Sequence, residues 1–106
     1  MTVQELRIGN WVYYDGRNTP IKEPTDLIDV DEFKPIPLTE EILLKCGFEN
    51  ERLKATSFTD IRVNRNLEVI LEMFCDADYS FKHVKHLHQL QNLYFSLVGK
   101  ELEVKL

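Results

Sequence analysis

The longest amphipathic pattern in the chain runs from His83 to Val98. Its apolar residues recur three and four positions apart, which places them on one side of a helix. They are Leu87, Leu90, Leu93, Tyr94, Leu97 and Val98. Gly99 follows where a residue with positive φ is favoured at the end of a helix. The pattern therefore predicts a helix over 83–98 that ends at Gly99.

A second, shorter helix is predicted over 39–46. Thr39 is a typical N-cap residue, and Glu40 and Glu41 follow it at the positive end of the helix dipole. Gly47 marks the end of this helix. Because a helix of about two turns is not stable alone, we expect it to pack on a sheet.

Extended segments account for the rest of the hydrophobic pattern. Leu6–Tyr14 is rich in β-branched and aromatic residues and ends at the turn dipeptide Asp15-Gly16. Further strands are predicted at 27–33, 58–63, 67–74, 79–82 and 102–106, with a polar loop at 49–56 and a turn at 76–78. The order predicts an α+β fold: an antiparallel sheet, SH3-like by analogy in its N-terminal part, covered by the helices near 39–46 and 83–98, with a C-terminal strand.

Length and composition are those of one ordinary globular domain. The chain has 106 residues, 43% of them hydrophobic and 29% charged, and this length supports one hydrophobic core. Gln4 and Glu5 stand where an export signal would be basic and then apolar, and no apolar run approaches the roughly 18 residues of a membrane span. We expect a single domain over 1–106 that is cytoplasmic and has no membrane partner, with Cys46 and Cys75 as reduced packing residues.

The negative charge is concentrated between positions 22 and 41. This segment holds seven acidic residues against Lys22 and Lys34, and the whole chain has a net charge of −5 and a pI near 5.1. Nucleic-acid-binding proteins typically cluster Lys and Arg and have a high pI, so nucleic acid is a disfavoured partner. A nucleic-acid-binding accessory protein is kept as an alternative. It would need a basic face built from Arg52, Lys54, Arg62 and Arg65.

Three histidines within six residues raise the question of a metal site: His83, His86 and His88. If the helix starts at His83, His88 is turned roughly 160° from His86, so the three imidazoles could not share one tetrahedral ion. We therefore predict no metal-ligating residues. A metal-dependent or enzymatic domain that uses these histidines is the alternative.

The sequence offers no apparatus for catalysis. Cys46 is predicted at a helix C-terminus, where the negative end of the dipole raises the pKa of a thiol. Neither a phosphate-binding glycine-rich loop nor a Gly-x-Ser-x-Gly elbow occurs. We expect a protein that is not an enzyme, with no catalytic or cofactor-binding residues and no cofactor.

The first strand is apolar on both faces. Its period of two places Ile8, Val12 and Tyr14 on one face and Trp11 and Tyr13 on the other. Either the strand is covered twice, which we favour for so small a chain, or one face is left for a partner. If that face is exposed, Trp11 and Tyr13 are the predicted partner-binding residues, because large aromatic side chains dominate interface energies.

Three blocks of sequence carry a resemblance to a known family. They are Glu5–Val12; Pro35–Glu41 with Leu44, Gly47 and Phe48; and His88–Phe95 with Gly99, Glu101 and Leu102. Together they resemble a family of short uncharacterised proteins carried by phages and integrated mobile elements of Bacteroidales gut bacteria. The chain departs from that family over 17–33 and 49–73. The resemblance implies a bacterial, cytoplasmic, phage-related setting, and it brings no activity, cofactor or site residue.

The sequence thus favours a small non-catalytic accessory protein that acts by binding a macromolecule. We expect the partner to be a protein, and the sequence leaves both its identity and the oligomeric state of the chain open.

Overall fold

The computed structural model describes residues 6–23, 31–73 and 78–106. These residues form two antiparallel sheets and two helices, which confirms the predicted α+β class. The elements are β1 Trp11–Tyr14, β2 Arg17–Pro20, α1 Glu40–Lys45, β3 Arg52–Thr56, β4 Thr59–Val63, β5 Val69–Met73, β6 Asp78–Phe81 and α2 Leu87–Val98. No helix within the described ranges is long and apolar enough to cross a membrane.

The first sheet is the hairpin β1–β2, in which Trp11 pairs with Pro20 and Tyr14 with Arg17. Asp15 and Gly16 both have positive φ, the geometry that lets a two-residue turn match the twist of its strands. The strand predicted from Leu6 begins only at Trp11, because the chain turns at Gly9 before it. The polar segment of β2 was not predicted as a strand, and the SH3-like arrangement stays a prediction.

The second sheet has the order β3-β4-β5-β6, with every neighbouring pair antiparallel. Strands β4, β5 and β6 confirm the predicted strands at 58–63, 67–74 and 79–82. The polar loop predicted over 49–56 is wrong, since β3 occupies Arg52–Thr56. In β3 the half-buried Leu53 and Ala55 alternate with exposed Arg52 and Lys54, a pattern too short to stand out in the sequence.

Helix α1 has both of the ends that the sequence predicts. The Thr39 hydroxyl accepts a hydrogen bond from the Ile42 N–H at 3.2 Å. At the other end, Gly47 has a φ of 94°, and the Phe48 N–H donates to the Leu43 carbonyl at 3.1 Å. The Gly47 N–H also donates to the Leu44 carbonyl at 3.1 Å. These two C-terminal bonds form a Schellman motif, in which glycine avoids the steric cost of the left-handed backbone.

Helix α2 begins at Leu87, four residues later than predicted, and ends at Gly99 as predicted. Residues 85–87 instead lie extended beside residues 36–38. The Leu38 N–H donates to the Lys85 carbonyl at 3.0 Å, and the Leu87 N–H donates to the Ile36 carbonyl at 2.8 Å. These bonds to a distant segment compete with helix formation before Leu87, and the sequence gives no sign of them.

The predicted C-terminal strand is wrong. Residues 101–106 form no ladder, and one backbone hydrogen bond, from the Lys105 N–H to the Lys45 carbonyl at 3.0 Å, ties them to the end of α1. Buried and exposed residues still alternate as predicted at the start of this segment, because Leu102 is buried and Val104 is half-buried between exposed neighbours. The strand predicted at 27–33 and the turn predicted at 76–78 lie mostly outside the described residues. In their described parts, Asp31 and Glu32 form a short 3₁₀ turn rather than a strand, and Asp78 belongs to β6.

Two separate clusters of buried side chains stabilise the fold. The larger cluster joins α1, the second sheet and α2: Ile36, Leu38, Leu43, Cys46, Phe48, Ile61, Val63, Val69, Leu71, Val84, Leu87, Leu90 and Leu102. The smaller cluster lies under the hairpin: Leu6, Val12, Ile21 and Phe33. The hairpin therefore has its own small core, and the contact between the two parts has to come from other residues.

Candidate functional site

Polar side chains connect the hairpin to α2. We call this group the polar joint, and it consists of Arg7, Asn10, Gln91, Asn92 and Glu101. Asn10 is fully buried and Gln91 is 1% exposed. Buried amides are costly unless they are hydrogen-bonded, so their partners decide whether the joint stabilises the molecule.

Gln91 bridges the two parts with both ends of its amide. Its Nε2 donates to the Gly9 carbonyl at 2.9 Å, and its Oε1 accepts from the Trp11 N–H at 2.8 Å. These are backbone groups at the entry to β1, so one side chain of α2 substitutes for a short piece of strand pairing. Gln91 thus fixes the position of β1 relative to the helix.

Arg7 and Asn10 converge on Asn92. The Asn92 Oδ1 accepts from the Arg7 Nε at 2.8 Å and from the Asn10 Nδ2 at 3.0 Å. Arg7 also donates from Nη1 to the Glu101 carboxylate at 2.6 Å, and its guanidinium lies 4.2 Å from the centre of the Phe95 ring. The positive charge of Arg7 is therefore matched by a carboxylate and an aromatic face within the joint.

The backbone conformation at position 9 favours glycine. Gly9 has a φ of 101°, which side chains rarely tolerate. A residue with a side chain would therefore strain the turn beside the Glu101 carboxylate, the partner of Arg7.

The two predicted partner-binding residues have different environments. Trp11 is half-buried and packs against the larger core, and its backbone N–H donates to the Gln91 side chain. Tyr13 is 40% exposed. Val12 and Tyr14 on the opposite face pack on the smaller core, so β1 is covered on one face and half covered on the other.

Of the three histidines, His83 precedes α2, His86 is its N-cap residue and His88 lies in its first turn. His86 is the extended N-cap residue, and its ring stacks on that of His88 with centroids 6.0 Å apart. The prediction that these two rings point in different directions is therefore wrong, because it assumed a helix from His83. The His83 ring contacts Phe81 instead, at a centroid distance of 5.8 Å.

His83 and His88 line a cleft of about 360 Å³ between the end of β6 and α2. Across residues 6–23, 31–73 and 78–106, no three His, Cys, Asp or Glu side chains are grouped as metal ligands would be. The start of α2 also has its own cap, because the Gln89 Oε1 accepts from the Lys85 and His86 N–H groups at 2.9 and 3.1 Å.

Two of the four residues of the predicted basic face, Arg52 and Arg62, are paired with acids of the second sheet. Both donate to the Glu72 carboxylate, and Arg52 also lies 3.9 Å from the Asp60 carboxylate. Lys54 is exposed and lies opposite Asp60 in the strand register, and Arg65 is exposed in the turn after β4. Burial raises the pKa of Glu72, but hydrogen bonds from the two guanidinium groups outweigh that effect and lower it. Glu72 therefore compensates part of the positive charge that a phosphate-binding face would need.

Cys46 caps the C-terminus of α1 as a free, buried thiol. Burial raises its pKa to about 11, so almost none of it is thiolate at neutral pH. This agrees with the predicted direction, although burial rather than the helix dipole is the cause. Cys75 lies outside the described residues.

The polar joint is what the sequence analysis missed. Gln91 falls on the apolar stripe of α2, four residues after Leu87, and a glutamine on a core-facing stripe is a signal of a buried hydrogen-bonding role. The joint also brings together segments far apart in the sequence, since Arg7 and Asn10 precede β1 and Asn92 and Glu101 lie near the C-terminus.

The arrangement of these side chains supports stable positioning of β1 rather than bond-making chemistry. In comparisons with family models, with curated proteins and with solved structures, nothing matches this chain.

Proposed function

We propose that this chain is a small non-catalytic accessory protein of a phage or mobile element that acts in the cytoplasm by binding a protein partner. The observation that carries the proposal is the placement of Tyr13, an exposed aromatic side chain on a strand that is hydrogen-bonded along both edges. The phage-related setting is supported by the family resemblance alone.

The backbone around Tyr13 is held on both sides. Along one edge, β1 pairs with β2, so that Tyr13 lies opposite Asn18. Along the other edge, Tyr13 and Lys34 exchange two backbone hydrogen bonds of 2.9 Å. Binding would therefore cost little ordering entropy at this residue, which is the condition under which an exposed aromatic side chain contributes most to affinity.

Trp11 supports this surface rather than forming its centre. The Trp11 side chain packs on the larger core, while the backbone N–H of Trp11 donates to the Gln91 Oε1. The predicted pair thus divides into an anchor, Trp11, and a contact residue, Tyr13. A partner that covers Tyr13 would also change the environment of Trp11, the only tryptophan in the chain.

Affinity capture from a Bacteroidales host during phage induction tests the proposal. A partner retained by the wild-type protein should be recovered at least about tenfold less with Tyr13→Ala, the loss typical of a hot-spot aromatic. The matched control is Phe58→Ala, which removes an exposed aromatic ring from the turn between β3 and β4. Equal recovery with Tyr13→Ala and wild type would exclude Tyr13 as the contact residue.

The alternative is a metal-dependent domain that uses His83, His86 and His88. One observation favours it over the prediction from sequence, namely that the His86 and His88 rings stack with centroids 6.0 Å apart while His83 and His88 line one cleft. Metal analysis of the purified protein distinguishes the two functions. Stoichiometric zinc that is lost in a His86→Ala/His88→Ala variant would support the alternative and count against a purely binding role.

A further inference from the structure

Strand β6 forms one edge of the second sheet. Among the described residues, β6 has a strand neighbour on one side only, β5. Unpaired edges of this kind present backbone N–H and C=O groups that can pair with another strand. The direction of those groups and the side chains of β6 decide which strand fits.

The hydrogen-bond pattern of the sheet shows which residues of β6 face outward. The Asn64 N–H donates to the Glu68 carbonyl at 3.2 Å, one position beyond the pair Val63–Val69. Hydrogen-bonded pairs alternate along an antiparallel ladder, so Val69 and Leu71 direct their backbone groups away from β4 and toward β6. They pair with Phe81 and Tyr79.

Asp78 and Ser80 therefore direct their backbone N–H and C=O groups toward the open edge. Both residues are exposed. Tyr79 is 54% exposed although it occupies the core-side face of the sheet, opposite the buried Leu71. The edge thus combines unused backbone groups with an uncovered aromatic ring.

We propose that the β6 edge is a self-association surface that pairs antiparallel with β6 of a second copy of this chain, with Ser80 opposite Ser80 of the second copy. The two chains would then share one continuous sheet of eight strands about a two-fold axis. Such an isologous contact closes on itself, as in most homodimers.

Charge and face complementarity select this register. Residues opposite one another in an antiparallel pair share a face, so the two-fold axis must pass through a residue pair rather than between residues. With Ser80 on the axis, Tyr79 lies opposite Phe81 of the second copy, and Asp78 lies at the end of the ladder beside Lys82, the residue that follows β6 in the second copy. Acid meets base on the solvent side and two aromatic rings meet on the core side.

The register one residue earlier is less favourable. It places Tyr79 opposite itself and Asp78 opposite Ser80, so neither carboxylate meets a cation. Lys82 is exposed and follows β6 directly, at the turn in which the Val84 N–H donates to the Phe81 carbonyl. The exposed ion pairs contribute little affinity but distinguish a second copy from an unrelated strand.

Sedimentation of the full chain between about 10 µM and 1 mM tests the proposal. We expect a reversible rise from the 12.5 kDa monomer toward twice that mass. Ser80→Pro should abolish the rise while leaving the far-UV circular dichroism unchanged, because it removes only an outward N–H. A protein that stays monomeric at 1 mM, or a folded Ser80→Pro variant that still dimerises, would overturn the proposal.

Charge reversal tests the register without relying on proline. Asp78→Lys and Lys82→Asp should each weaken dimerisation about tenfold by opposing like charges, and the double variant should restore it. The matched control, Lys54→Asp on β3 at the other end of the sheet, should leave dimerisation unchanged. A double variant as weak as either single variant would exclude this pairing.

Discussion

At the scale of single residues, the clearest local contribution to stability comes from the cap of α1. The Thr39 hydroxyl satisfies the Ile42 N–H, which has no partner within the helix. Thr39→Ala should lower the free energy of unfolding by about 1 kcal/mol in urea denaturation. Thr39→Ser keeps the hydroxyl, so its free energy of unfolding should stay close to that of wild type. An equal decrease in the two variants would show that the Thr39 cap does not stabilise α1.

Glu72 should make stability depend on pH in the acid range. Its pKa is lowered in the folded protein by Arg52 and Arg62, so the folded state binds protons less readily than the unfolded state does. The stabilisation is therefore complete above the ordinary pKa of glutamate, about 4.3, and is lost as the pH falls through the lower folded value.

Glu72→Gln tests this by removing the titrating group. Wild type should be more stable than the variant at pH 7, and the difference should shrink as the pH falls below about 4. Thermal unfolding measured from pH 7 to pH 3 gives the comparison. A constant difference across that range would show that the carboxylate of Glu72 is not coupled to folding.

Cys46 should be nearly inert in the native protein. Its side chain is 3% exposed and its pKa is raised to about 11 by burial, so both access and thiolate content are low. In a Cys75→Ser background, Ellman's reagent at pH 7 should react slowly with the folded protein and rapidly in denaturing urea. Fast reaction of the folded protein would contradict the burial of this thiol.

At the scale of elements, the sequence predicts what depends on neighbouring residues. Both ends of α1 follow from Thr39 and Gly47, and the end of α2 follows from Gly99, because caps are local. The start of α2 was missed because distant segments compete for its backbone groups: Leu38 and Ile36 bond to Lys85 and Leu87. Strand β3 was missed because only two of its residues, Leu53 and Ala55, are apolar, and so short an alternation in a polar segment does not indicate a strand.

The polar joint could not be predicted from the sequence either, because it too depends on contacts between distant segments. Its bonds join residues about 80 to 94 positions apart, such as Trp11 with Gln91 and Arg7 with Glu101. The sequence did identify Trp11 and Tyr13 as the aromatic residues to examine. It could not show that Trp11 packs on the larger core while Tyr13 is exposed, because that difference depends on segments distant in the sequence.

Gln91 should therefore contribute more to the free energy of unfolding than a polar residue on the surface of a helix does. Gln91→Met keeps the size of the side chain but leaves the Trp11 N–H and the Gly9 carbonyl without their partner, which should cost about 2 kcal/mol or more. Ser96→Ala, on the exposed side of the same helix, should change stability by less than about 0.5 kcal/mol. Urea denaturation of both variants checks this, and equal effects would exclude a bridging role for Gln91.

At the scale of the whole molecule, the two hydrophobic cores differ in size and should contribute unequally to stability. The larger core joins α1, α2 and the second sheet, while the smaller core consists of Leu6, Val12, Ile21 and Phe33. The hairpin is attached to the rest by the polar joint and by Trp11. A part with so few buried apolar contacts should open more easily than the sheet does.

Native-state hydrogen exchange can detect that difference. Amide protons of the hairpin, such as those of Tyr13 and Ile21, are bonded to Lys34 and Asn10 and exchange only when this part opens. The Val63 amide, bonded to Glu51 beside the larger core, exchanges only when the second sheet opens. We expect a lower opening free energy for the hairpin amides, with a weaker dependence on denaturant because less surface is exposed.

Combining exchange with the Gln91→Met variant tests whether the polar joint holds the hairpin in place. The variant should accelerate exchange at Tyr13 and Ile21 by about tenfold or more, since each 1.4 kcal/mol of lost bonding is a tenfold change in the opening equilibrium. Exchange at Val63 should change less, because this amide does not depend on the joint. If all three amides exchange with one opening free energy in both proteins, the hairpin and the sheet unfold as a unit. The surface around Tyr13 would then owe its rigidity to the whole fold rather than to Gln91.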